Sequence, residues 1–149
     1  QRPLEMGLSE LAQAHGTGII ARTPLCFGVL TGAVGEGTRF TPDDHRSAWP
    51  REQIDRWVGA SRAFVAAVAG RERQTPAQIA LRFCLSHPAV TTTIPGMLTR
   101  AQVEENTAAS DLGPLSPRDL AALQSCYAAR RESLAPVRGR VRSPGALAR

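Results

Sequence analysis

The sequence predicts an α/β fold with parallel strands, and three observations carry that expectation. Val90 to Ile94 is β-branched throughout and reads as a buried strand, broken by Pro95-Gly96. Thr17 to Arg22, around Ile19 and Ile20, reads as a second buried strand ended by Thr23-Pro24. Between them lie helical patterns, and two strands separated by helices imply a parallel pair with a right-handed crossover.

The elements follow in order. Leu8 to His15 reads as a short helix with Leu8, Leu11 and Ala12 on one face and Gly16 as its stop. After the first strand, residues 32 to 50 form a long segment rich in Gly, Pro and Asp that carries Phe40 and Trp49. A loop of that length in a compact domain is usually functional or disordered. From Arg51 to Gly70, Ile54, Trp57, Val58, Ser61, Val65 and Val68 fall near one helical face. Thr75-Pro76-Ala77-Gln78 supplies an N-cap, a proline at N1 and a glutamine at N3. The helix it opens, through Ile79, Leu81, Phe83, Cys84 and Leu85, is apolar enough to lie against a sheet. Beyond the second strand, Thr99 and Gln102 form a capping box for a helix over 100 to 109. Ser116-Pro117 opens a last helix with Leu120, Leu123 and Tyr127 on one face.

A strand end running into a helix N-terminus gathers free N–H groups and the positive end of a helix dipole, which suits a phosphate. Residues 90 to 106, VTTTIPGMLTRAQVEEN, have that form. They also resemble the cofactor-binding strand–loop–helix near the C-terminal end of the aldo-keto reductases, at Ile94, Pro95, Gly96, Gln102, Val103, Glu105 and Asn106. A second match, GIIARTPLCFGVLTG at 18 to 32, looks like the family's seventh strand and its loop, and the helix TPAQIALRFCLSHPAV lies between them. The resemblance covers roughly residues 5 to 128.

It implies the C-terminal part of a (β/α)8 TIM barrel, with about two parallel strands and five helices in this chain. By resemblance, Thr23, Pro24 and Leu25 run along the pyrophosphate, and Gly28 lets that loop approach closely. Arg22 stands where many members place an aromatic residue on the nicotinamide, and a guanidinium there favours the neutral, reduced cofactor. Gly96, Met97, Leu98 and Thr99 wrap the adenosine phosphate end, Gln102 meets the ribose phosphate, and Glu105 and Asn106 reach the adenine. NADP(H) is the family default. Gly96 and Leu98 occupy the places where a cation often grips the 2′-phosphate, so NAD(H) stays open, with Arg100 the nearest cation.

A complete barrel needs roughly 250 residues, and this chain has 149. It is therefore expected to be part of a longer protein whose missing N-terminal half is a partner. The family's catalytic tetrad is Asp, Tyr, Lys and His, yet every one of the 18 basic residues is Arg. No catalytic residue is assigned here, and the chain alone is expected to be inactive. The parent is expected to transfer a hydride from NAD(P)H to an aldehyde or ketone. A non-catalytic nucleotide-binding or regulatory relative is the alternative, as is a truncated inactive gene product. Trp49 and Phe40 either wall an apolar substrate pocket or pack beneath the loop.

Six arginines against Glu132 give residues 130 to 149 all of the +5 net charge, so residues 1 to 129 read as the barrel portion and the rest as a disordered basic tail. No aromatic residue is interleaved there for base stacking, which argues against nucleic acid. Cys26, Cys84 and Cys126 lack metal or disulfide spacing, and Cys84 reads as core. His15, His45 and His87 are given no chemistry. No apolar run approaches the ~18 residues of a membrane span. A reducing cytoplasm is the expected location.

Overall fold

The computed structural model describes residues 5–69, 73–131 and 134. In chain order it contains α1 (Leu8–Ala14), β1 (Ile19–Arg22), a 3₁₀ segment at Cys26–Thr31, a second at His45–Ala48, α2 (Arg51–Ala66), α3 (Pro76–Leu85), β2 (Val90–Ile94), α4 (Arg100–Asp111) and α5 (Pro117–Ala128). β1 and β2 pair in parallel, with Ile20 opposite Thr92 and Arg22 opposite Ile94. Most of the expected tail, 132–133 and 135–149, lies outside the described residues.

Local chemistry sets the helix starts. Thr75 makes the full capping box, accepting from the Gln78 N–H at 3.2 Å while its own N–H donates to Gln78 Oε1 at 2.9 Å. Ser116 accepts from the Asp119 N–H. At α4 the box is only half made. Thr99 accepts from the Gln102 N–H, but the Gln102 amide oxygen reaches one residue further and takes the Leu98 N–H at 2.7 Å.

Two apolar clusters anchor the helices. Val68, Ile79, Phe83, Leu115 and Leu123 form one, where α3 meets α5 and the end of α2. Val29, Val34, Ile54 and Val58 form the other, with Phe40, Trp49 and Trp57 packed against it. Arg82 ties the first cluster's rim by donating to the Gly113 carbonyl at 2.7 Å and the Pro114 carbonyl at 2.9 Å. Ser61 joins the second to the loop after β1 through a buried bond to the Val29 carbonyl at 2.9 Å.

Both strands are less buried than their composition suggests. Ile20 is 61 % exposed and Ile94 56 %, whereas Ile19, Ala21, Val90 and Thr93 are half-buried. Side chains alternate across a strand, and the described helices cover one face only. Ile20, Arg22, Thr92 and Ile94 share the open face, as expected for strands drawn from a barrel wall. β1 is also shorter than 17–22. Leu8 and Leu11 of α1 are exposed as well, and only Ala12 of that helix is buried, because little packs against its expected apolar face. Cys84 is half-buried at the edge of its cluster rather than inside it.

Candidate functional site

The parallel register decides where the two loops lie. Because Arg22 pairs with Ile94, Thr23–Gly28 and Pro95–Thr99 leave the sheet side by side at its carboxyl edge. In α/β folds ligands bind in this crevice beyond the strand ends. The close approach of the strands has a visible requirement upstream. A Cβ on Gly18 would overlap Thr91 Oγ1, and Thr91 is the extra residue at the register shift between Ile19 and Ile20.

The first loop has an unusual backbone. Thr23, Cys26 and Phe27 adopt positive φ of 57°, 48° and 55°. For residues with a Cβ this conformation costs roughly 1–2 kcal/mol each, and such strain persists only where the surroundings over-determine it. Gly28 has φ of +90°, so turn geometry alone calls for glycine there. Pro24 is buried, Leu25 half-buried, and Arg22 and Thr23 are exposed at the crevice.

In the second loop Gly96, Met97, Leu98 and Thr99 are all exposed, with Leu98 at 94 %. A Cβ on Gly96 would meet nothing within 4 Å, so the space above this turn is open. The Gln102 amide oxygen is engaged by the Leu98 N–H, which ties the loop to the first turn of α4. Arg100 turns toward Glu104, at 2.7 Å, rather than back over the loop. Both partners are exposed, and such a pair contributes little. Asn106 is buried at 7 % and Glu105 half-buried, with the Glu105 carbonyl accepting from Gln78 Nε2 at 3.0 Å. The pair is therefore not an exposed polar decoration of α4. It sits where α4 rests on α3.

Open space over Gly96, exposed residues Met97–Thr99 and the exposed cation of Arg22 lie together at this crevice edge, with the Leu98 and Gln102 N–H groups already taken by Gln102 and Thr99. Among the described residues no group of three or more His, Cys, Asp or Glu side chains has the geometry for a metal ion. Nor is any described helix long and apolar enough to cross a membrane.

A separate apolar cavity of about 620 Å³ runs along β1 on the helix side, between α2, α3 and α5. Arg22, Thr23 and Pro24 touch one end of it, whereas none of the second loop's residues lines it. Phe40 and Trp49 do not line it either. They pack edge to face beneath their own loop, Phe40–Trp49 at 6.2 Å between centroids and Trp49–Trp57 at 5.1 Å. Of the two roles open to them, packing is the observed one. Burial raises the pKa of the Cys26 and Cys84 thiols, which both line the cavity, so neither is primed as a nucleophile.

One feature escaped the sequence reading. Arg46 donates through Nε and Nη2 to the Asp44 carboxylate, at 2.6 Å for the shortest bond, and through Nη1 to the Phe27 carbonyl at 3.0 Å. Its guanidinium lies 4.4 Å from the centre of the Phe40 ring. The Arg46 side chain and backbone N–H, both bonded to Asp44, hold that carboxyl at about 2. Thr41-Pro42-Asp43-Asp44 marks a turn, and Asp44 caps the 3₁₀ segment by accepting from the Arg46 N–H. That Arg46 reaches back 19 residues to Phe27 is not legible in the sequence, because nothing local encodes it.

Comparison with known proteins places the chain in a family. The family model for the aldo/keto reductase family matches residues 3–128. The chain is 32 % identical over 106 residues to a probable voltage-gated potassium channel subunit beta of Arabidopsis thaliana, covering 68 % of this chain and 32 % of that protein. It is 34 % identical over 110 residues to Protein tas of Escherichia coli, covering 70 % and 31 %. To Aldo-keto reductase str7 of Strobilurus tenacellus it is 28 % identical over 122 residues, covering 80 % and 36 %. The chain thus spans about a third of the length of these relatives. The matched region includes both strands, both crevice loops and the helix between them, and the chain belongs to the aldo/keto reductase family of oxidoreductases.

Proposed function

We propose that this chain is the C-terminal, cofactor-binding part of a (β/α)8 aldo-keto reductase whose whole protein transfers a hydride from NAD(P)H to an aldehyde or ketone. The single observation that carries this reading is the register that sets the Thr23–Gly28 and Pro95–Thr99 loops side by side at the carboxyl edge of two parallel strands. The open strand face bearing Ile20 and Ile94 supports completion of a barrel by an N-terminal half.

In this reading Thr23, Pro24 and Leu25 follow the pyrophosphate, with Gly28 closing their turn. Arg22 faces the nicotinamide end. Gly96, Met97, Leu98, Thr99 and Gln102 receive the adenosine phosphates, and Glu105 and Asn106 the adenine. The burial of Asn106 suits a fixed amide that meets a base edge. The bound nucleotide supplies the hydride, while this chain binds, orients and shields it. The acid–base residues belong to the N-terminal half, because no lysine is present to complete a tetrad.

NADP(H) is the proposed cofactor, with NAD(H) the competitor, since Arg100 pairs with Glu104 instead of turning back. The test is a calorimetric titration of the chain with NADPH and with NADH. Saturable binding, tighter for NADPH, is expected. No binding of either nucleotide would refute the reading.

The relatives named as probable potassium channel subunits favour a second reading, in which the site binds nucleotide in a regulatory rather than a catalytic protein. Turnover of an aldehyde by the completed barrel separates the two. Nucleotide binding without turnover selects the regulatory one.

A further inference from the structure

The strained loop after β1 needs something to maintain its shape, and the surroundings of Phe27 supply it. Arg46 spends its planar fork on two targets at once. Nε and Nη2 grip the Asp44 carboxylate, and Nη1 donates to the Phe27 carbonyl. Phe27 is one of the three non-glycine residues at positive φ. Its ring is held by edge contacts with His45 at 5.3 Å and Trp49 at 5.4 Å. Trp49 in turn meets Trp57 of α2, and Phe40 lies beneath the Arg46 guanidinium. A Cβ on Gly28 would meet the guanidinium only at contact distance, 3.4 Å from Nη1, so the glycine answers to its φ of +90°. Segment 44–49 is therefore clamped onto residues 27–28 from two sides, by one charged fork and by aromatic edges.

We propose that Arg46 is a positioning residue for the nucleotide: by latching the Asp44–Trp49 segment to the Phe27 carbonyl it fixes the Thr23–Gly28 backbone that receives the pyrophosphate–nicotinamide end. The inference rests on the nucleotide-binding reading above. Arg46 itself touches no ligand. It acts through the loop, and only on the half of the site that β1 contributes. The half that β2 and α4 contribute is held separately, by Thr99, by the Gln102–Leu98 bond and by the bond from Gln78 to Glu105.

That division gives a test that general loss of structure does not mimic. The chain, Arg46→Ala and Arg46→Lys are each titrated with NADPH and with adenosine 2′,5′-bisphosphate, which carries only the adenine end. Arg46→Ala is expected to bind NADPH roughly tenfold more weakly, in line with the loss of a charge-assisted hydrogen bond. Its affinity for the bisphosphate should stay unchanged. Lysine is a point donor without the fork, so Arg46→Lys should fall between. Equal weakening toward both ligands would mean a merely structural role, and unchanged NADPH affinity would mean no role. Either overturns the latch. If Arg46→Ala does not fold, the same comparison on Arg46→Lys decides. Failure of the unaltered chain to bind either NADPH or NADH removes the nucleotide reading and the latch together, whereas tight NADPH binding that survives Arg46→Ala removes the latch alone.

Discussion

Replacing Gly18 with alanine probes the junction that aligns the two crevice loops. The added methyl would overlap Thr91 Oγ1 and come 3.3 Å from Thr91 Cβ and 3.8 Å from its Cγ2. Overpacking of this kind costs about 1–3 kcal/mol. The obstruction is an exposed side chain that can change rotamer at about 0.5–1.5 kcal/mol, so the low end applies. Against it stands a gain of about 0.4–1 kcal/mol from the reduced freedom of the unfolded chain. Net destabilisation of about 0–0.6 kcal/mol is expected. In a Thr91→Ala background Oγ1 and Cγ2 are gone, and only the 3.3 Å contact remains. Gly18→Ala should then be neutral or stabilising by about 0.4–1 kcal/mol, and the difference between the two backgrounds is a coupling typical of residues in contact. Urea unfolding measures both. With m of about 1–1.5 kcal/mol/M, the single substitution should lower the midpoint by at most roughly 0.6 M, whereas in the Thr91→Ala background it should leave the midpoint unchanged or raise it. Amide exchange at Ile19, whose N–H donates to the Ala89 carbonyl at 2.8 Å, reports the same junction locally. Equal destabilisation in both backgrounds would refute the reasoning, because the cost would then come from the backbone and not from Thr91.

Ser61→Ala deletes the hydroxyl that donates to the Val29 carbonyl inside the second cluster. A buried acceptor left unpaired costs about 1–3 kcal/mol, and a urea midpoint unchanged from the native chain would contradict this. Asp44 titrates at about 2 when folded, below the ~3.9 of an unfolded aspartate. Its contribution is therefore present above about pH 4 and lost as pH falls toward 2. Asp44→Asn should flatten the stability profile in that window, which acid titrations followed by circular dichroism would show. Burial lowers the His87 pKa, and its Nε2 is buried without a hydrogen-bond partner among the described residues. The folded state therefore resists the proton that the unfolded chain accepts near pH 6.5. Stability should fall as pH drops through and below that value. An NMR titration finding His87 above its ordinary pKa would reverse the sign.

The sequence by itself determined the elements whose causes are local. Thr75, Thr99 and Ser116 cap their helices because a hydroxyl at N-cap needs only the next turn to bond. The β-branched run at 90–94 forms a strand, and Thr23-Pro24 and Pro95-Gly96 end both strands where expected. The two loops and their order along the chain were legible for the same reason, as was the parallel pairing from the strand–helix alternation.

What only tertiary structure decided depends on what lies across from each residue. Ile20 and Ile94 look like core residues, yet they are exposed because the described helices occupy the other face of the sheet. Gln102 completes a capping pattern in the sequence, but the loop geometry brings the Leu98 N–H closer to its amide than the Thr99 N–H. Asn106 is polar, and its burial follows only from α4 resting on α3. Arg46 bonds a carbonyl 19 residues away, and no periodicity, cap or turn rule encodes a contact made when two loops fold over one another. Gly18 is ordinary in the sequence and becomes constrained only once the register shift places Thr91 against it. Hydrogen bonds within one turn are set by neighbours along the chain, whereas burial, long-range contacts and the space beside a glycine are set by neighbours in space.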